Sequence, residues 1–252
     1  MTWLLTLAFD GTEYCGFQVQ PNGRSVAAAF QDGLEAVIGR RPDIKGCSRT
    51  DAGVHALGFA LSFEADLRIP PEKLPLALNT KLPRDIRVLS ARVVPDGFHA
   101  RYAAHTKTYL YRIHNSPIDS PFEERYYCRI PGRLEVERMQ RAAAHFVGTH
   151  DFLALCAAHS SAAAHGDTVR TITACGAERH GDTVEITVTA DGYLYNMVRI
   201  LAGTLCEAGA GRLDPEAVPA ILASRDRKNA GPTLPAKGLF LHHVDYGKEA
   251  EG

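Results

Sequence analysis

The sequence predicts an α+β fold of two halves, each running β-α-β-β-α-β, with mainly antiparallel strands and helices on one side. Three observations predict it. Short apolar runs with period-two alternation mark strands, and segments with apolar residues at helical spacing mark helices. The order of these elements then repeats once along the chain, in the split βαβ arrangement. In the first half, Trp3 to Phe9 alternates as a strand, and Ser25 opens a helix carrying Val26, Phe30, Leu34, Val37 and Ile38 until Gly39 ends it. Strands follow near 44–50 and 57–64, a helix begins after Pro70-Pro71, and a strand near 86–94 closes the unit.

The second half repeats the order with longer connections. Tyr109, Tyr111 and Ile113 share one strand face, and Leu134 to Val147 reads as a helix ending at Gly148. Strands near 169–178 and 183–190 flank the turn Arg179-His180-Gly181-Asp182. Tyr193 to Ala208 reads as a long helix stopped by Gly209, followed by a short helix near 215–223 and a last strand from Leu239 to Tyr246. The expected domains are 1–100 and 101–252. Only element order is repeated; no sequence repeat accompanies it.

Composition narrows the function classes. The chain has 252 residues, 45% hydrophobic and 23% charged, which suits an ordinary soluble globular protein. Its longest apolar runs are too short to span a bilayer, and no basic region leads into an apolar core as a secretory signal would. Six cysteines stand at 15, 47, 128, 156, 175 and 206 without a CxxC pair, the pattern of free thiols in a reducing cytosol. Net charge is −1, so any electrostatic hold on nucleic acid must come from local clusters. Two clusters qualify: Arg125, Arg129, Arg133, Arg138 and Arg141, and Arg225, Arg227 and Lys228.

The string Arg49-Thr50-Asp51-Ala52-Gly53-Val54-His55-Ala56 is the most informative segment. It sets one carboxylate at a strand-end turn beside one guanidinium. In extended backbone, residues two apart face the same way, so Arg49 and Asp51 share a side. A nearby cation keeps a partly buried carboxylate ionised, and an ionised carboxylate can act as a nucleophile. A generic RxD is also the pattern of an ion pair that pins a turn. His55 fits either an acid–base role or a hydrogen-bonded structural histidine.

The whole string, preceded by Gly46-Cys47-Ser48, resembles the catalytic signature of the tRNA pseudouridine synthase A family. Four further blocks resemble that family in the same order: Phe9 to Pro21, Phe98-His99-Ala100-Arg101 with Tyr109-Leu110-Tyr111, Tyr193 to Arg199, and Ala230 to Ala236. The resemblance implies two ferredoxin-like halves forming a continuous sheet with a central catalytic cleft. It implies isomerisation of uridine to pseudouridine at neighbouring positions (38, 39 and 40) of the tRNA anticodon stem-loop, without cofactor or metal, by a cytoplasmic homodimer. It assigns Asp51 as the catalytic aspartate, Tyr109 as the active-site tyrosine and Arg199 as the basic residue paired with the aspartate. Arg49 supports the site by holding the carboxylate, meeting a phosphate or filling the space left by a flipped base. Four positions depart from the family pattern: Ser48 replaces a glycine, Phe59-Ala60 replaces Gln-Val, and Asn196 stands where many members carry histidine.

Other patterns carry less. His145, His150 and Asp151 lack HExxH spacing, and Gly148 interrupts them, so no metal is expected there. Gly209-Ala210-Gly211 follows a helix and reads as a helix stop. Asp10-Gly11-Thr12 resembles the end of an aspartyl-phosphate phosphatase motif, but Ala8 occupies the nucleophile position. The remaining alternative is a non-catalytic RNA-binding module presenting Tyr102, Tyr109 and Tyr111 as stacking surfaces.

Overall fold

A computed structural model describes residues 1–21, 23–157 and 164–247. The chain divides into two compact units: Met1–His105 with the segment from Phe240 onward, and Thr106–Leu239. The division differs from a cut at residue 100 in residues 101–105 and in the last strand, which group with the first unit.

In the first unit, β1 (Thr2–Phe9), β3 (His55–Glu64) and β4 (Ile86–Val94) form an antiparallel sheet with β1 in the middle. The outer edge of β3 is shared. The short β2 (Ile44–Gly46) pairs antiparallel with its far end, Gly46 opposite Leu61. β10 (Leu239–Asp245) pairs parallel with its beginning, Phe240 opposite His55. Helix α1 (Val26–Ile38) forms as its termini dictate. The Ser25 hydroxyl accepts the Ala28 N–H, and Gly39, at φ 75°, sends its own N–H back to the Glu35 carbonyl. Val26, Phe30 and Leu34 are fully buried, as are Leu5, Leu7, Leu61 and the short α2 (Leu74–Asn79) at Leu74 and Leu78. Each such side chain contributes roughly 1.5–3 kcal/mol by leaving water. The β1–β3 register shifts between Leu7 and Phe9, a bulge that bends the chain as it enters Asp10-Gly11.

The second unit is built on β5 (Thr106–His114), β9 (Thr183–Ala190), β8 (Val169–His180) and β7 (Gly148–Asp151), antiparallel in that order. The two-residue β6 (Cys128–Arg129) adds parallel to the end of β5. Helices α3 (Val136–Ala144), α4 (Met197–Gly209) and α5 (Val218–Ser224) complete it, with Met139, Ile200, Leu201 and Leu205 fully buried. The β8–β9 hairpin turns on Gly181-Asp182, where Gly181 takes φ 60°.

Helix boundaries differ from expectation in α3, which runs Val136–Ala144 instead of Leu134 to Val147, and at both ends of α4. α4 starts at Met197 instead of Tyr193, because Asn196 adopts a left-handed φ of 61° and no helix runs through such a residue. Gly209 lies inside α4; its missing side chain admits Met139, whose Cγ would stand 2.7 Å from a Cβ there. The stop comes after Ala210, at Gly211 with φ 74°.

Candidate active site

Asp51 begins a four-residue turn, its carbonyl accepting the Val54 N–H at 3.1 Å. Gly53 occupies the third position at φ 76°, the conformation that a type II turn requires and glycine adopts without strain. Side chains alternate as extended backbone dictates: Arg49 is exposed, Thr50 buried and Asp51 half-buried.

What holds this turn is the segment after β1. Phe17 N–H donates to the Thr50 carbonyl at 3.2 Å, and Gly53 N–H donates to the Tyr14 carbonyl at 3.2 Å. Gly11 and Gly16 permit the approach. A Cβ on Gly11 would stand 2.0 Å from the Val54 carbonyl oxygen, and one on Gly16 would stand 2.4 Å from that of Thr50. Gly11 N–H also donates to His55 Nδ1 at 3.0 Å, with Asp10 Oδ1 at 3.1 Å from the same nitrogen. His55 is buried and stacks on Phe240, ring centroids 4.7 Å apart, so of its two readings the structure favours the structural one.

Tyr14 anchors the segment in turn. Its hydroxyl donates to Asp85 Oδ1 at 2.7 Å, and the Arg24 guanidinium lies 4.6 Å over its ring and 3.7 Å from the other Asp85 oxygen. The Asp85 carbonyl accepts the Asp10 N–H at 2.9 Å, closing the circuit. Burial first, then the Asp85 hydrogen bond and charge, push the Tyr14 phenol well above its ordinary value, so it remains a donor.

Tyr109 and Arg199 belong to the second unit. Tyr109 is buried on β5, its ring meeting Tyr193 edge-on at 4.9 Å. The Tyr193 hydroxyl is directed at the carbonyls of Lys107 and Val188, at 2.7 and 2.8 Å, so the partner ring is fixed. Burial raises the Tyr193 phenol far above its ordinary range. Tyr111 is fully buried, donating to the Pro235 carbonyl at 2.7 Å.

Arg199 lies in the first turn of α4. Its Nε donates to the Leu234 carbonyl at 2.6 Å and its Nη1 to Asn196 Oδ1 at 2.8 Å. The 230–236 segment is locked against α4 at glycines: a Cβ on Gly203 would stand 1.9 Å from the Pro232 carbonyl oxygen, and Gly231 N–H donates to Thr204 Oγ1 at 2.9 Å. Asn196 thus suits its position twice. Asparagine tolerates left-handed backbone better than most residues, and its side-chain oxygen steadies Arg199.

The other sequence candidates have structural partners. His145 Nε2 lies 2.9 Å from Glu216 Oε2, and His150 Nε2 lies 3.2 Å from the Val147 carbonyl. Asp151 takes the Thr168 hydroxyl at 2.7 Å and the Arg225 guanidinium at 3.0 Å. Arg227 donates to Thr233 Oγ1 at 3.0 Å. Among the described residues no group of three or more His, Cys, Asp or Glu could hold a metal ion, and no helix is long and apolar enough to cross a membrane.

A family model described as tRNA pseudouridine synthase matches residues 6–103 and 142–247. The chain belongs to the tRNA pseudouridine synthase family. A relative from Moorella thermoacetica, named tRNA pseudouridine synthase A, is 46% identical over 244 residues, 96% of this chain and 98% of its own length. Relatives of the same name from Shouchella clausii and Bacillus pumilus are 44% and 41% identical, again over 96% of this chain and over 92% and 97% of their own lengths. The synthase match covers Asp51, its supports Gly11, Tyr14 and Asp85, and Arg199; Tyr109 falls between the two matched segments.

Proposed function

We propose that this synthase isomerises uridine to pseudouridine in tRNA, with Asp51 as the nucleophile and without a cofactor. The reaction breaks the bond from ribose C1′ to uracil N1, turns the base, and joins C1′ to C5. The C5 proton leaves and N1 gains one, so no redox partner or group donor is needed. A carboxylate can begin by adding to C1′, by attacking C6 or by taking a ribose proton. Each route needs the same thing, an ionised oxygen held still against the nucleotide. The single observation carrying this reading is the turn at Asp51, held through Thr50, Gly53 and Val54 by backbone hydrogen bonds and glycine contacts. Such preorganisation is what makes a positioned group effective.

The target uridine must leave its stack, at a cost of a few kcal/mol. Tyr109, with its ring edge fixed by Tyr193, is the proposed surface for the base, and stacking of this kind contributes roughly 1–3 kcal/mol. Arg199 is the proposed fixed positive charge of the site, and Arg49, exposed beside the turn, the proposed contact to RNA phosphate. Uridines at positions 38, 39 and 40 of the anticodon stem-loop are the proposed targets, met by a homodimer in the cytoplasm. Chemical mapping of pseudouridine in unmodified tRNA after incubation with the protein tests the targets. Modification confined to the stem-loop supports the reading, and no modified uridine anywhere in the tRNA overturns it. Sedimentation tests assembly, where an active monomer would contradict the dimer.

A further inference from the structure

The block Phe98 to Tyr102 has no part in the site described above, yet it is tied down firmly. Phe98 packs on Tyr246 at 5.2 Å, Ala100 N–H donates to Ser62 Oγ at 3.0 Å, and the Tyr246 hydroxyl donates to the Ala100 carbonyl at 2.7 Å. Tyr102 and Ala103 N–H both return to the His99 carbonyl, at 3.1 and 3.0 Å. On this anchored turn Ala100 is buried and His99 half-buried, while Arg101 and Tyr102 are exposed. Tyr102 is 77% exposed, unlike Tyr109 and Tyr111, which are buried. Its ring lies 4.3 Å from that of His99, with the Arg101 guanidinium 5.8 Å over it.

Arg101, exposed beside the ring, has no carboxylate partner among the described residues, and Lys45 is paired with Asp43. His99 itself is neutral in this arrangement: its Nδ1 accepts the Arg101 N–H at 3.1 Å. Burial, and after it the Lys45 charge, hold the ring below the ordinary histidine value. An exposed aromatic face on a rigid turn, beside a guanidinium, is the chemistry that binds an unstacked nucleobase and its phosphate.

We propose that the His99–Tyr102 turn is a second RNA contact, where Tyr102 stacks on an unpaired base of the tRNA outside the modified nucleotide and Arg101 meets an adjoining phosphate. This rests on tRNA being the substrate. The test is tRNA binding by fluorescence anisotropy, with turnover measured alongside, for the parent, Tyr102→Ala, Tyr102→Phe and Arg101→Gln. Tyr102→Ala is expected to weaken binding about ten-fold with kcat at saturating tRNA unchanged, and Tyr102→Phe to restore parent affinity. Arg101→Gln is expected to lower the slope of log affinity against log salt by about one. Equal affinity in parent and Tyr102→Ala overturns the proposal while leaving the catalytic reading intact. Altered sedimentation of Tyr102→Ala with unchanged RNA affinity also overturns it, marking the turn as a protein contact. A parent that neither binds nor converts tRNA removes the catalytic reading first and this contact with it.

Discussion

Replacing Gly11 with alanine tests whether the bed beneath Asp51 matters for catalysis. The added methyl would stand 2.0 Å from the Val54 carbonyl oxygen and 2.7 Å from its carbon, both backbone atoms that no side-chain rotation can move away. Relief to an ordinary contact of 3.4 Å requires a displacement of about 1.4 Å, and two movements provide it. If the Asp10–Thr12 segment retreats, the Gly11 bonds to His55 Nδ1 and from Tyr14 N, both 3.0 Å, are stretched. If Val54 retreats, its 3.1 Å bond to the Asp51 carbonyl goes with it. Either route shifts the turn that carries the carboxylate. Misplacement of about 1 Å costs on the order of 10²-fold in rate, while the overpacking itself costs about 1–3 kcal/mol of stability. The assay is single-turnover tritium release from tRNA labelled at uracil C5, at a temperature where circular dichroism shows the variant folded. Gly176→Ala serves as control, since a Cβ there meets nothing within 4 Å. A Gly11→Ala enzyme with parental rate would refute the idea that this contact positions Asp51.

Three further outcomes follow from the same geometry. Tyr14→Phe keeps the ring but removes the hydrogen bond to Asp85; since Arg24 still faces that carboxylate, the loss is about 1.5 kcal/mol, read as a fall of a few degrees in Tm together with slower tritium release. An unchanged Tm would contradict it. Asn196→Ala is expected to lose roughly 1–2 kcal/mol from its left-handed backbone, measured by urea unfolding. Asn196→Gly should recover that stability but remain slow in turnover, because neither variant steadies Arg199. Glu207 accepts two bonds from Arg212, each 2.7 Å, which hold its carboxyl below the ordinary value of 4.5. A depressed carboxylate stabilises the fold above its unfolded pKa and loses that contribution as pH falls. Arg212→Ala should therefore cost less than about 1 kcal/mol at neutral pH and nothing once acid has protonated Glu207.

The elements most legible in the sequence were those governed by local rules. Ser25 and Gly39 set the ends of α1 through their own side chain and backbone, as the spacing alone predicts. The β8–β9 hairpin follows from its glycine turn, though His180 is still paired with Thr183, so the strand runs two residues past expectation. Departures came where distant parts of the chain decide. Tyr193 carries a helix-compatible pattern, but its hydroxyl is drawn to carbonyls on β5 and β9, and Asn196 delays the helix. The two-residue β6 and four-residue β7 are too short for periodicity to reveal. At the site, Gly53 and the alternation of Arg49, Thr50 and Asp51 could be read directly. The supports could not: Gly11 and Val54 lie 43 positions apart, and the hydroxyl of Tyr14 finds Asp85 across 71. Nothing local in either segment announces its partner.

Asp51→Asn tests the catalytic carboxylate most directly, since it keeps side-chain volume while removing the charge. Tritium release from tRNA labelled at uracil C5 should fall to background in this variant, with tRNA affinity close to that of the parent. Release at the parental rate, with the parent itself active on the same tRNA, would show that the carboxylate does not make the new carbon–carbon bond possible.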